Sequence, residues 1–296
     1  MSTRPDGRSV PSHVDADDYQ QTLEDREAGR REIEREVKEE VAWVEDLDAS
    51  GVLARLYVPA GMDDRTPYER GLIVHFHGGG FVFNDVEIHD APARRLANRT
   101  GRSVLSVDYR LAPEHPFPAA VEDTDHALAW AASRTTQVFA HGDSAGGNLA
   151  LVGALRNPGL VTAVVLVYPF LDPASAFPSY DAADWTWDRD EAQWYWSQYL
   201  ADPSLAMHPD VAPLRSERLA DLPPTLVITA AEDIARDEGE HLVGVLQEKG
   251  VDAVGTRYLN VPHGFWRGSD HAQANDLAMR QTGAFLDRIV HLSSKA

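Results

Sequence analysis

The sequence predicts an α/β fold in which a mostly parallel central sheet carries helices on both faces and a helical cap. Two observations predict it. Short apolar, β-rich runs alternate with helix-forming segments from about residue 70 to the C-terminus, the order that a parallel sheet with crossover helices requires. One stretch, 171–222, breaks that alternation by separating two such runs with far more chain than one helix needs. At 296 residues and 43% hydrophobic composition, the chain can bury one large core.

The elements follow in order. Residues 1–40 are polar, and Glu24 to Glu40 interleaves Glu with Arg at helical spacing, as in Glu32 and Glu36 beside Arg31 and Arg35. A helix is expected there. Residues 41–47 and 52–58 read as strands joined by a turn at Asp48-Ala49-Ser50-Gly51, a hairpin. Further strands are expected near 72–76, 103–107, 137–141, 162–168, 225–230 and 255–259. Asp90 with Pro92 signals a helix start, while Gly101 and Gly250 signal stops. Ala120, Val121, Thr124, Ala127, Leu128 and Ala131 form one apolar helical face. The 171–222 segment holds Trp185, Trp187, Trp194, Tyr195, Trp196 and Tyr199 and reads as a helical insertion, its aromatics divided between packing and a pocket wall. Residues 41–170 with 223–296 are therefore expected to form the core domain, with 1–40 and 171–222 as cap elements.

The chemistry-bearing residues sit where strands end, the place at which such sheets gather their sites. Gly142-Asp143-Ser144-Ala145-Gly146-Gly147 lies between an apolar run and an alanine- and leucine-rich helix. This is the strand-turn-helix context of a nucleophile elbow, in which small neighbours let the backbone pass. His77-Gly78-Gly79-Gly80 follows the strand at 72–76, and glycines there can present backbone N–H groups to a developing oxyanion. The donors would be Gly79, Gly80 and Ala145. Downstream, the strand at 225–230 leads to Glu232 and Asp233, and His263 follows the last strand. The order Ser144, acid, His263 is that of an α/β-hydrolase triad, where the imidazole takes the serine proton and the carboxylate fixes its tautomer. Glu232, Asp233 and Asp237 compete for the acid, and Asp237-Glu238-Gly239-Glu240 resembles a capping box opening the next helix. His75 and His77 alternate on one strand; with no further ligands at suitable spacing, a structural or loop-orienting role is expected for both, and no metal or cofactor. Asp143 is expected to serve the elbow structurally.

These motifs, with Tyr109-Arg110-Leu111-Ala112-Pro113-Glu114-His115-Pro116-Phe117-Pro118-Ala119-Ala120 and Arg236-Asp237-Glu238-Gly239-Glu240, resemble the hormone-sensitive-lipase-like family of α/β-hydrolase esterases from about residue 50 onward. The resemblance implies Asp233 as the catalytic acid, although Ile234 follows it where family members usually carry proline. It further implies a carboxylesterase acting on small or short-chain acyl esters, cap elements over the site and a homodimer. Arg110, Glu114 and His115 are expected to brace the loop beside the oxyanion donors. The same triad serves amidases, lactonases and deacetylases, and a non-catalytic small-molecule binding protein on this fold is the second class of reading. Activity is expected to rise with pH as the imidazole loses its proton.

Composition narrows the partners. A formal net charge of −20 argues against nucleic acid and disfavours acidic substrates unless a local basic group offsets it. It also suits a salt-rich cytoplasm, an expectation that melts in rising KCl would test. No run of eighteen apolar residues predicts a membrane span, the first residues lack a signal-peptide core, and the chain has no cysteine. Those features lead to a cytoplasmic expectation.

Overall fold

A computed structural model describes residues 10–33, 36–63, 65–182, 185 and 187–293. Eight strands form one sheet: β1 (Trp43–Asp48), β2 (Leu53–Val58), β3 (Leu72–Phe76), β4 (Ser103–Val107), β5 (Val138–Asp143), β6 (Ala163–Val167), β7 (Thr225–Glu232) and β8 (Ala253–Pro262). Their spatial order is β1-β2-β4-β3-β5-β6-β7-β8. β1 and β2 form the expected antiparallel hairpin, and β2 joins β4 antiparallel. From β4 to β8 every pairing is parallel. β3, β4 and β6 are buried along their whole length, which is why β6 reads as an unbroken apolar run and β3 and β4 as apolar runs broken only by His75, Ser103 and Ser106.

Helices cover both faces. Alongside α1 (Ala16–Ile33), these are α2 (Asp90–Thr100), α3 (Ala119–Ala132), α4 (Ala145–Arg156), α5 (Arg189–Tyr199), α6 (Arg236–Glu248) and α7 (Ala272–Ser293). Leu96 and Ala97 of α2 pack with Met279, Leu286 and Ile289 of α7 against Ile73, Val104, Phe139 and Val165 on one face. The other face packs Val121 and Leu128 of α3, Leu149 and Val152 of α4, and Leu242 of α6 against Val74, Leu105, Ala140 and Leu166. All six residues of the face expected on α3 are buried. α2 stops at Gly101, whose φ of 59° is left-handed, as the sequence signal required.

Three expectations change. The N-terminal helix spans Ala16–Ile33 rather than 24–40. Glu36 lies beyond its end and pairs with Arg95 of α2 at 3.1 Å, while Arg35 falls outside the described residues. Among its described residues the 171–222 segment holds a single α-helix, α5, among short 3-10 turns at Pro178–Asp181, Pro203–Met207, Pro213–Arg215 and Leu219–Asp221. Prolines open three of those turns, and because a proline cannot continue a helix from the residues before it, each marks a break between short pieces. Finally, α6 begins at Arg236 with Ala235 as its N-cap and no side-chain cap. The capping box read from Asp237 does not form, because Asp237 accepts the Ser179 N–H at 2.9 Å and its helix entry is already turned by Asp233.

Candidate active site

β5 ends at Asp143 and α4 begins at Ala145, so Ser144 alone makes the turn, with φ 54° and ψ −122°. A non-glycine residue in this region costs about 1–3 kcal/mol, and the surroundings must impose it. They do so through Ser144 N–H, which donates to Val167 O at 2.9 Å, and Ser144 O, which accepts from Phe170 N–H at 3.1 Å. The glycines are needed for close approach: a Cβ on Gly146 would overlap the carbonyl oxygen of Phe76, and one on Gly142 would overlap that of Gly146.

The loops after β7 and β8 bring two further groups to this turn. His263 Nε2 lies 2.9 Å from Ser144 Oγ, and His263 Nδ1 lies 2.7 Å from Asp233 Oδ2. Asp233 is fully buried, and its Oδ1 accepts from Ala235 N–H at 3.0 Å and from Trp187 Nε1 at 3.0 Å. Trp187 also packs its ring over His263, with centroids 4.5 Å apart. Glu232 is exposed at the end of β7 and Asp237 faces the 178–181 turn, so the fold brings neither to the imidazole. The Trp187 contact was not legible in the sequence. No spacing links an aromatic in the insertion to an acid 46 residues away.

The glycine loop leaves its donors open. Gly79 and Gly80 have φ of 125° and 60°, and Gly79 O accepts from the N–H groups of Val82 and Phe83. Asn84 Nδ2 donates to Gly78 O at 2.9 Å, and Tyr109 Oη donates to His77 O at 2.7 Å. Gly78 N–H donates to Asp143 Oδ1 at 2.9 Å. The N–H groups of Gly79, Gly80 and Ala145 have no acceptor among the described residues. These are the three donors expected from the sequence: Gly79 and Gly80 line the Ser144 cavity, and Ala145 opens α4 directly after Ser144.

Beneath the turn lies a buried polar layer. Burial pushes the Asp143 carboxyl up to about 6, against the pull of the Gly78 N–H and the charge of Arg267. Desolvation lowers His77 to about 4 and His141 to about 3, and it holds His75 and His89 well below the usual imidazole range, so all four rings are neutral. His77 stacks on Tyr109 and holds the glycine loop, the orienting role expected of it. His75 instead meets His141 (Nδ1 to Nδ1, 2.9 Å) and His89 (Nε2 to Nδ1, 3.4 Å). One ligand atom each from His75, His89 and Asp143 fall within 4.8 Å of one another, close enough to share a cation. That grouping comes from different elements and was invisible to spacing along one strand.

A cavity of about 350 Å³ opens onto Ser144 and His263. Trp187 and Tyr195 line it, whereas Trp196 and Tyr199 are buried against Phe81 and Phe170. Trp194 stacks on Phe83, and Trp185 lies under the Arg236 guanidinium. The expected bracing is only partly made. Glu114 ties α1 to the loop by pairing with Arg26 at 2.7 Å, and Arg26 also donates to Val82 O and Ala112 O. Arg110 turns instead to Asp123 on α3, and His115 is exposed, because its side chain points off the surface turn rather than toward the glycines.

The family model described as alpha/beta hydrolase fold matches residues 73–267, well over half of the chain. The chain belongs to this family. This α/β hydrolase is 37% identical to the carboxylic ester hydrolase LipN of Mycobacterium tuberculosis over 246 residues, covering 75% of the present chain and 64% of LipN. The chain thus spans slightly less than two thirds of that relative. A hyperthermophilic esterase from the archaeon Pyrobaculum calidifontis superposes with a TM-score of 0.85 at 35% identity, covering 97% and 95% of the two chains. An esterase of the bacterial hormone-sensitive lipase family superposes with a TM-score of 0.83 at 27% identity, covering 91% and 92%. The α/β hydrolase is of the hormone-sensitive-lipase-like kind.

Proposed function

We propose that this α/β hydrolase is a serine carboxylic-ester hydrolase of small or short-chain acyl esters. The observation that carries the reading is the continuous chain Ser144 Oγ, His263, Asp233, with its two contacts of 2.9 and 2.7 Å. Ser144 Oγ attacks the ester carbonyl carbon as its proton passes to His263 Nε2, and the carbonyl electron pair moves onto oxygen. Gly79, Gly80 and Ala145 N–H groups receive that oxyanion; removal of one such donor commonly costs about a hundredfold in rate or more. The alcohol departs with the proton from His263, leaving an acyl-Ser144. Water, deprotonated by His263, then releases the acid and restores the serine. Asp233 keeps Nδ1 protonated and stabilises the imidazolium between these steps.

Residues 41–170 and 223–296 form the catalytic unit of this proposal, with 1–40 and 171–222 covering it. Among the described residues no helix is long and apolar enough to cross a membrane. A cytoplasmic homodimer is part of the same reading, on family resemblance and composition.

The test is a fluorophosphonate probe. Wild type is labelled and hydrolyses p-nitrophenyl acetate, and Ser144→Ala does neither. Asp233→Asn loses most turnover, whereas Glu232→Gln keeps it. Folded wild type that resists the probe would return the protein to the ligand-binding class, and a lethal Glu232→Gln with a tolerated Asp233→Asn would reassign the acid.

A further inference from the structure

Arg267 is the cationic side chain of the cavity that the reaction above leaves without a task. It lies four residues after His263, where its N–H donates to Gly264 O at 3.0 Å and its carbonyl accepts from the Arg95 guanidinium at 2.6 Å. Its own guanidinium makes no hydrogen bond and no ion pair among the described residues. That is unusual in a chain with 47 acidic and 27 basic residues. Arg26 and Arg95, which border the same region, are paired with Glu114 and Glu36.

Its position is specific. Arg267 lines the cavity that holds Ser144, and with Phe83 and Asn84 it also lines a second cavity of about 570 Å³ under α1. The cation therefore stands where the two spaces meet, half-buried, beside the glycine loop. Its charge reaches Asp143 and Tyr168. On α5 the same cavity carries Glu191, which has no cationic partner among the described residues and whose pKa burial raises. One wall thus attracts an anion and another repels it, so a ligand with one charged end has a preferred direction.

A guanidinium presents paired N–H donors that match a carboxylate, and such charge-assisted bonds strengthen when water is partly excluded. We propose that Arg267 binds a carboxylate carried by the substrate, so that the preferred esters are anionic ones with the carboxylate a few atoms from the scissile bond. This rests on the ester-hydrolase reading and names the substrate class within it. The chain's overall acidity does not oppose it. Charges on the surface are screened over about 8 Å at physiological ionic strength, whereas a contact inside the cavity is not. Arg267 supplies one positive charge inside the cavity, where it acts locally against the acidity of the chain as a whole.

Two matched pairs of esters test the proposal in a pH-stat. On the acyl side, methyl hydrogen succinate is compared with methyl 4-methylpentanoate, its neutral shape match. On the alcohol side, acetoxyacetate is compared with isobutyl acetate. Wild type is expected to favour the charged member of at least one pair by about tenfold or more in kcat/KM, the size of one charge-assisted hydrogen bond. Arg267→Gln removes that preference and Arg267→Lys restores part of it. A ratio at or below one in both pairs overturns the proposal. So does a preference that survives Arg267→Gln, or a loss in that variant that is equal for charged and neutral esters. Turnover of the neutral esters without charge preference sinks this inference alone. Failure of every ester, together with no labelling of Ser144, sinks the hydrolase reading and this inference with it.

Discussion

Replacing Asp143 by asparagine removes the charge buried beneath Ser144 while keeping an oxygen for the Gly78 N–H. In the folded protein burial raises this carboxyl from 3.8 to about 6. The unfolded chain titrates it at the ordinary value. The folded state therefore holds the proton more tightly, and the contribution to stability is fully present below about pH 3.8. It is lost as pH rises through about 6. The gap between the two values corresponds to about 3 kcal/mol, with no discount for exposure because the group is buried. Glu39, Asp46 and Asp276 are held low by arginines, so their contributions run the opposite way and fade in acid. The informative quantity is consequently the difference between wild type and Asp143→Asn, not either curve alone. Urea unfolding of both proteins from pH 4 to 7.5 measures it. Relative to the variant, wild type should lose about 2–3 kcal/mol across that range. A flat difference would refute the account of Asp143 as a desolvated carboxylate carrying the glycine loop.

Two further outcomes follow from the geometry. Trp187→Phe keeps a ring over His263 but deletes one N–H from Asp233; kcat/KM for p-nitrophenyl acetate should fall about tenfold or more, the scale of a hydrogen bond to a buried charge. A rate within twofold of wild type would show that the acid does not need this donor. Gly146→Ala drives a methyl into the Phe76 carbonyl, which is backbone and cannot yield, so urea unfolding should show a loss of about 3 kcal/mol or more together with lost activity.

Much of the framework was legible because its signals are local. β3 and β4 coincide with the apolar runs at 72–76 and 103–107, since a strand buried on both faces is mostly apolar on both sides and His75, Ser103 and Ser106 are too few to hide it. The turn at Ser144 was legible for a similar reason: glycine is required wherever backbone passes backbone, and the requirement falls within five residues. Polar α1 was misplaced because its few apolar residues mark no face, and what fixes it is Arg26 reaching Glu114, 88 residues along the chain. The His75–His141 contact and the Trp187–Asp233 bond were hidden in the same way, being 66 and 46 residues apart. Glu238 is another case. Its carboxylate, buried after α6 begins, accepts the N–H groups of Leu171 and Asp172, a job that no capping pattern suggests.

The Trp187–Asp233 bond has a consequence for anyone who would retune this protein by exchanging its 171–222 segment with a relative's. That segment looks like an interchangeable module, to be swapped for a different substrate range. Yet it supplies a donor to the acid behind His263, and it is rooted on Glu238 at its first residues. A chimera would carry a foreign specificity and a damaged engine together, and its slow turnover would be misread as poor fit. Grafts that preserve the indole at 187 and the Glu238 anchor should keep the two properties apart.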